Sequence, residues 1–110
     1  MYVFLFNNGD EEWSSCVEGD TLEDAMARIA AELNEFDDMG VCTALQFLLG
    51  SAVRAVRCHP HMFVDVRTPV PFVDHALFKT LRAVLGRSRH AWACDELDAA
   101  AAARKKGAGV

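Results

Sequence analysis

Two Cys/His pairs are the residues in this sequence with the clearest potential for metal chemistry. Cys58 and His61 are separated by two residues, and His90 and Cys94, further along, by three. Thiolate and imidazole are the ligands that zinc prefers, and both spacings suit chelation. The pattern is not that of a recognised zinc finger, however, and a chain of 110 residues can fold without a metal. We therefore expect no metal site and no cofactor, and these four residues are the candidates should zinc bind.

Catalytic signatures are otherwise missing from the sequence. Cys58 could act as a nucleophile with His59 or His61 as its base, but no third residue that would orient such a pair can be identified. Glycine-rich phosphate loops, Gly-x-Ser-x-Gly elbows and calcium-loop patterns do not occur. The four cysteines lie far apart beside small or apolar residues, which is typical of reduced, packed thiols. The sequence therefore predicts a non-enzymatic protein.

A basic segment in the second half of the chain could contact phosphates and stack a base on its tryptophan. Its members are Lys79, Arg82, Arg87, Arg89, His90 and Trp92. The net charge of −5 and the pI near 5.2 oppose this reading, because an acidic protein repels nucleic acid at long range. We therefore do not expect direct binding to nucleic acid, and we expect these arginines to face acidic residues of the same fold.

Charge is divided unevenly between the two halves of the chain. Residues 1–50 hold eleven acidic side chains and one basic side chain, Arg28, whereas residues 51–110 hold five acidic and ten basic side chains. Such asymmetry indicates either an acidic face for a basic partner or two faces that neutralise each other within the fold or in a homodimer.

The acidic residues near the end of the first predicted helix depart from a local rule. Negative charge in the last turn of a helix is unfavourable by about 0.3–1 kcal/mol for each residue. Unless Arg54, Arg57 or the basic third helix pairs with them, these acids form an exposed surface for a partner. The predicted partner-binding residues are Glu11, Glu12, Glu23, Asp24, Glu32, Glu35, Asp37 and Asp38.

The chain begins with a pattern typical of a β-hairpin. Residues 2–6 are continuously apolar and residues 11–17 are more polar, with Asn8 and Gly9 between them. Asn-Gly is the favoured pair for a two-residue type I′ turn, because both central residues need a positive φ. That turn would pair Phe4 with Trp13. The first strand is expected to be central and the second to lie at the edge.

Two helices are expected to follow the hairpin. Apolar residues recur at helical spacing over residues 21–36, and Gly40 is expected to terminate this helix in the left-handed conformation. Residues 42–57 fit a second, buried central helix, with Arg54 and Arg57 in its last turns.

The remaining residues predict one more strand and two more helices. The strand is expected over residues 62–67, a helix over 71–85, and an alanine-rich helix capped by Asp95. The fold class is therefore α+β: a small, mainly antiparallel sheet packed against helices in the order ββααβαα. We expect one globular domain over residues 1–106 and a flexible tail over 107–110.

Size, charge and the lack of catalytic motifs together predict the class of function. No apolar stretch approaches the length of a membrane span, and the apolar start lacks a basic leader, so we expect a cytoplasmic protein. The leading hypothesis is a small acidic inhibitor that blocks a basic, nucleic-acid-binding surface of a partner protein. In size and charge it is analogous to phage anti-defence proteins, including anti-CRISPR proteins, and to toxin-immunity proteins. The alternatives are a homodimeric structural or regulatory protein with self-complementary charged faces and a small zinc-binding protein.

Overall fold

The computed structural model describes residues 1–59, 62–65 and 69–108, and it has the α+β architecture expected from the sequence. The expected order ββααβαα is confirmed, with three consecutive strands in the position of the third β element. The strands are β1 (Tyr2–Asn7), β2 (Glu12–Val17), β3 (Ala52–His59), β4 (Met62–Asp65) and β5 (Val70–Pro71). The helices are α1 (Leu22–Asn34), α2 (Asp38–Leu49), α3 (Ala76–Gly86) and α4 (Ala93–Ala108).

The sheet is antiparallel throughout the described strands. Its order is β2-β1-β3-β4, and β5 pairs with the start of β3. The prediction that the apolar first strand is central and the second lies at the edge is therefore confirmed. The strand predicted over residues 62–67 is present as β4 up to Asp65, and residues 66 and 67 lie outside the described part of the chain.

The predicted hairpin is present, but its turn is displaced by one residue. Asn8 donates its backbone N–H to the Glu11 carbonyl, so Gly9 and Asp10 are the central residues of the turn. Gly9 has a φ of 100° and is the only described residue with a positive φ, so the type I′ geometry expected for Asn8 and Gly9 is wrong. Gly9 supplies the positive φ that this tight connection needs, which a glycine adopts without steric cost. The Asn8 side chain stabilises this turn by accepting hydrogen bonds from the backbone N–H groups of Asp10 and Glu11.

The displaced turn shifts the pairing of the two strands by two residues. Trp13 lies opposite Phe6 rather than opposite Phe4, as predicted, and Phe4 lies opposite Ser15. Because side chains alternate with a period of two, this shift leaves each residue on the predicted face of the sheet. The two rings stack at 5.1 Å between centroids, which stabilises the observed register.

The predicted second helix over residues 42–57 is wrong at both ends. Helix α1 ends at Asn34, and α2 begins at Asp38 with Asp37 as its N-cap, so Gly40 lies inside the first turn of α2 and does not terminate α1. Helix α2 ends at Leu49, and the residues after Gly50 form β3. The apolar residues of this segment favour a helix in the sequence, because they do not alternate with polar ones. In β3 they lie on both faces of the sheet, with Val53 on the core face and Val56 on the opposite face.

Arg54 and Arg57 therefore lie in the sheet and not in the last turns of a helix, as was predicted. They lie on β3 opposite Leu5 and Tyr2 of β1. Helix α2 itself is not a central buried helix, since only three of its side chains, Val41, Leu45 and Leu48, are buried.

Two details of the C-terminal part also differ from the sequence prediction. A 3-10 turn over Phe72–Asp74 precedes α3, so the helix predicted from residue 71 begins at Ala76. Helix α4 begins at Ala93 and not after a cap at Asp95, and it continues through Ala108. Residues 109 and 110 of the predicted tail lie outside the described residues. None of the described helices is long and apolar enough to cross a membrane.

The hydrophobic core lies between one face of the sheet and the helices. The sheet contributes Phe4 and Phe6 of β1 and Val53 of β3, which are almost completely buried. Helices α1 and α3 pack against each other above them. The largest fully buried apolar side chains that the helices contribute are Ile29, Leu45, Leu48, Leu77, Leu81, Leu85 and Leu97. This core fixes the end of α1 and the start of α2 relative to the hairpin, and those are the elements that form the site described next.

Candidate functional site: an acidic groove beside the hairpin

A surface groove lies between the hairpin and the start of α2. It has a volume of about 700 Å³ and is open to solvent. We call it the acidic groove, because three of its lining residues are acidic and none is basic. Its lining residues are Glu11, Glu12, Trp13, Phe36, Asp37, Met39, Gly40, Thr43, Ala44 and Phe47.

The apolar part of the acidic groove is supported by the aromatic core of the hairpin. Trp13 stacks on buried Phe6, and its ring meets the edge of Phe47 at 6.4 Å between centroids. Trp13 and Phe36 are each 40% exposed, and Met39 is 79% exposed. The groove therefore presents large apolar side chains to solvent, and one of them, Trp13, packs against Phe6 and Phe47.

The segment from Glu35 to Gly40, which we call the α1–α2 corner, positions one wall of the groove. Asp37 is the N-cap of α2, and its Oδ1 accepts a hydrogen bond from the Gly40 backbone N–H at 2.7 Å. A Cβ at Gly40 would lie 3.1 Å from the Phe36 Cβ and 3.0 Å from the Asp37 Oδ1. A glycine at this position therefore lets the corner close tightly around its cap.

Capping by Asp37 also corrects the argument from the helix dipole. Asp37 and Asp38 do not lie at an unfavourable helix C-terminus, because they are the N-cap and the first residue of α2, where negative charge is favourable. The sequence argument holds only for Glu32 and Glu35, which lie at the C-terminal end of α1. The prediction placed Glu32 and Glu35 in the last turns of one helix and Asp37 and Asp38 immediately after it, because it did not detect that a second helix begins there.

Buried His90 fastens the α1–α2 corner to the turn before α4. Its ring is completely buried, and its Nε2 lies 2.9 Å from the Phe36 carbonyl oxygen. The same carbonyl accepts a hydrogen bond from the Arg89 guanidinium at 3.2 Å, and the His90 Nδ1 lies 3.1 Å from the Asp38 Oδ1. Trp92 meets the His90 ring edge-on. These contacts hold Phe36 and Asp38 in place although both are at the surface.

The eight acids that were predicted to bind a partner lie in different parts of the structure. Glu11, Glu12 and Asp37 line the acidic groove, and Glu35 and Asp38 belong to the corner beside it. Glu23 and Asp24 lie in the first turn of α1, at the opposite end of that helix. With α1 thirteen residues long, the two ends are about 20 Å apart. Glu32 lies in the last turn of α1 and does not line the groove. The eight acids therefore do not form one continuous cluster.

The carboxylates that line the groove have no cationic partner among the described residues. Glu12 accepts a hydrogen bond from the Asn7 amide, and Asp37 caps α2. Ion pairs between described side chains occur elsewhere, with Arg82 paired to Asp98 and Arg104 to Asp74. Of the acids near the end of α1 for which internal pairing was the alternative, Asp37 makes its described hydrogen bond to a backbone N–H and not to a cation.

The basic segment has mostly structural contacts. Arg82 donates two hydrogen bonds to Asp98, at 2.6 and 2.9 Å, which lower the pKa of that carboxyl and raise the pKa of the guanidinium. Together with the pair between Arg104 and Asp74, this contact ties α4 to the rest of the fold. The expectation that the arginines of this segment face acids of the same fold is confirmed for Arg82.

The Cys/His candidates do not form a cluster in the described part of the chain. His90 is occupied by the α1–α2 corner, and the Cys94 thiol donates to the Arg82 carbonyl oxygen. Cys58 lies on β3, where its backbone N–H donates to the Met1 carbonyl. His61 lies outside the described residues. No group of three or more potential ligands that could hold a metal ion occurs among the residues that the structure describes.

Sequence reasoning found the acids of the groove and missed its apolar residues. Phe36 was expected on the buried face of α1, but the helix ends before it. Nothing in the sequence marked Met39 and Trp13 as binding residues, because single apolar residues beside acids are common on protein surfaces. Comparison with known protein families, curated proteins and solved structures finds no match to this chain. Its function is therefore inferred from the geometry and charge of the groove.

Proposed function

We propose that this protein is a non-enzymatic inhibitor that binds a basic, nucleic-acid-binding surface of a partner protein through its acidic groove and thereby occludes that surface. The observation that carries the proposal is the set of groove carboxylates, Glu11, Glu12 and Asp37, which have no cationic partner among the described side chains. Carboxylates that lack a cationic partner can take the place that phosphates occupy on a nucleic-acid-binding protein, even where a neutral donor, such as the Asn7 amide or the Gly40 N–H, already bonds to them.

Long-range charge supports the same function. The net charge of −5 repels nucleic acid and attracts basic proteins, so it accelerates encounters with the proposed class of partner. The basic side chains that could oppose this attraction are partly neutralised, since Arg82 and Arg104 are paired with Asp98 and Asp74. These two arginines are therefore engaged away from the groove carboxylates.

A capture experiment with a competitor tests the proposal. The protein is immobilised and exposed to a nuclease-treated lysate of the organism that encodes it, and bound proteins are identified by mass spectrometry. We expect a basic nucleic-acid-binding protein that is released by added duplex DNA, because DNA and the groove would compete for one surface. The purified partner should lose its DNA binding or cleavage when this protein is added.

A matched pair of variants distinguishes the effect of the groove carboxylates on capture from the effect of net charge. Glu11→Gln, Glu12→Gln and Asp37→Asn together remove three charges from the groove, and asparagine keeps the N-cap. The control removes three charges elsewhere through Glu18→Gln, Glu23→Gln and Glu32→Gln. We expect capture to be lost with the first variant and kept with the control. Equal capture by both variants, or a partner that DNA does not displace, would contradict the proposal.

A further inference from the structure

Large apolar side chains that remain exposed are concentrated around the acidic groove. Five such residues occur in the described part of the chain, and three of them, Trp13, Phe36 and Met39, line the groove. A fourth, Trp92, packs against His90, which holds the α1–α2 corner. Scattered apolar residues are ordinary on a protein surface, but convergence at one place is typical of an interaction site.

The exposure of Met39 is not required by the fold. It lies in the first turn of α2 and is 79% exposed. Its backbone carbonyl accepts a hydrogen bond from the Thr43 hydroxyl, and any residue at position 39 would offer the same carbonyl. Buried neighbours on α2, such as Val41 and Leu45, supply the contacts with the core. Methionine side chains are flexible and polarisable, and together with aromatic residues they are enriched at protein interfaces.

The floor of the groove follows one face of α2. Met39, Thr43 and Phe47 are spaced by four residues, so they lie along the same side of the helix over about 12 Å. That length corresponds to about four residues of an extended segment or two turns of a helix. Glu11, Glu12 and Asp37 border this apolar strip.

We infer that the acidic groove takes a short segment of the partner in which one or two large apolar side chains are flanked by lysine or arginine. The apolar side chains contact Trp13, Phe36 and Met39, and the flanking cations face the three carboxylates. This inference rests on the proposed function and specifies the part of the partner that docks. It also predicts that the apolar contact and the groove carboxylates both contribute to affinity, and that the carboxylates in addition raise the rate of encounter.

Charge complementarity identifies the occupant as a basic segment rather than a second copy of this chain. A second copy carries the same net charge of −5 and would have to approach three carboxylates that have no cationic partner among the described residues. A basic segment with an apolar anchor satisfies both features of the groove at once.

Selection from a random library tests this inference without knowledge of the partner. The probe is a phage-displayed library of 12-residue peptides, selected on the immobilised protein. The enriched peptides are then synthesised, and their affinity is measured by titration calorimetry. We expect a consensus with an apolar anchor flanked by Lys or Arg, and a negative heat-capacity change on binding.

Two substitutions at Met39 isolate the apolar contact. Met39→Gln keeps the length and helix propensity of the side chain but makes it polar, and it should weaken binding by about tenfold. Met39→Leu stays apolar and should retain binding within about threefold. Both variants should unfold at the same denaturant concentration as the parent protein, because the side chain is exposed.

The other outcomes overturn the inference in distinguishable ways. Basic peptides without an apolar anchor that bind Met39→Gln normally would refute the inference and leave the proposed function standing. Apolar peptides without cations, insensitive to loss of the groove carboxylates, would refute both. Absence of any enriched sequence, or a protein that light scattering shows to be dimerised through the groove, would also refute the inference.

Discussion

Replacing Asp37 by alanine should destabilise the protein, and the sign of the effect decides between two readings of this residue. In the structure Asp37 is the N-cap of α2 and accepts the Gly40 N–H at 2.7 Å. Loss of an N-cap costs about 1 kcal/mol, and loss of negative charge at a helix N-terminus adds about 0.3–1 kcal/mol. The expected loss of stability is therefore about 1–2 kcal/mol.

Two further variants control this measurement. Asp37→Asn keeps the hydrogen bond and loses only the charge, so it should cost no more than about 1 kcal/mol. Glu35→Ala removes an exposed carboxylate at the C-terminal end of α1, and its free energy of unfolding should be unchanged or slightly higher.

Urea denaturation followed by far-UV circular dichroism gives the free energy of unfolding for each variant. Had one helix extended through residues 36–38, removal of Asp37 would stabilise the protein, because the acid would oppose the helix dipole. An Asp37→Ala variant that is as stable as the parent, or more stable, would therefore refute the helix boundary and the description of the α1–α2 corner.

Three further predictions concern the hairpin, the entry into α1 and the response to acid. Gly9→Val should cost about 1 kcal/mol or more because Gly9 has a φ of 100°, and an unchanged denaturation midpoint would contradict the observed turn. Gly19→Ala should cost about 1–3 kcal/mol, since its Cβ would lie 2.8 Å from the Ala25 nitrogen; thermal melting checks this, and an unaltered melting temperature would refute the close approach. The hydrogen bond from Arg82 lowers the pKa of Asp98, so its contribution to stability is full above the ordinary aspartate pKa and is lost as the pH falls through the lowered value. Asp98→Asn should therefore reduce stability at neutral pH and reduce its decline in acid, and identical pH profiles of variant and parent would contradict the pairing.

The architecture could be predicted because its signals are local. A β-prone run followed by a turn pair defined the hairpin, and amphipathic spacing defined α1 and α3. The exact turn could not be predicted, because Asn8-Gly9 and Gly9-Asp10 both suit a tight turn. The choice depends on the stacking of Trp13 on Phe6 and on the bonds of the Asn8 side chain, which are contacts of the folded chain.

The boundary between α2 and β3 could not be predicted for a different reason. Strand β3 carries apolar residues on both of its faces, so it shows no clean alternation, and its apolar residues continue the pattern of the preceding helix. The start of α2 was missed because Asp37 was counted with the acids of α1 rather than as a cap. These two errors placed Arg54 and Arg57 on a helix and hid the α1–α2 corner.

The acidic residues of the candidate site could be predicted from the sequence, and its apolar residues could not. Glu11, Glu12 and Asp37 were identified through the charge asymmetry of the chain. The apolar residues that accompany them come from separate elements, with Trp13 on β2 and Met39 on α2. Their convergence depends on the packing of these elements, which composition and periodicity do not specify.

The measurement that most directly tests whether the acidic groove is the partner-binding site is a nuclear magnetic resonance titration. The isotope-labelled protein is mixed with the captured partner, and shifts of the backbone amides and the Trp13 indole are followed. We predict that the largest shifts fall on residues 11–13 and 36–47, and that residues 18–28 at the other end of α1 are unaffected. Shifts concentrated on residues 18–28, or on α3 and α4 with the groove unchanged, would contradict the proposed site.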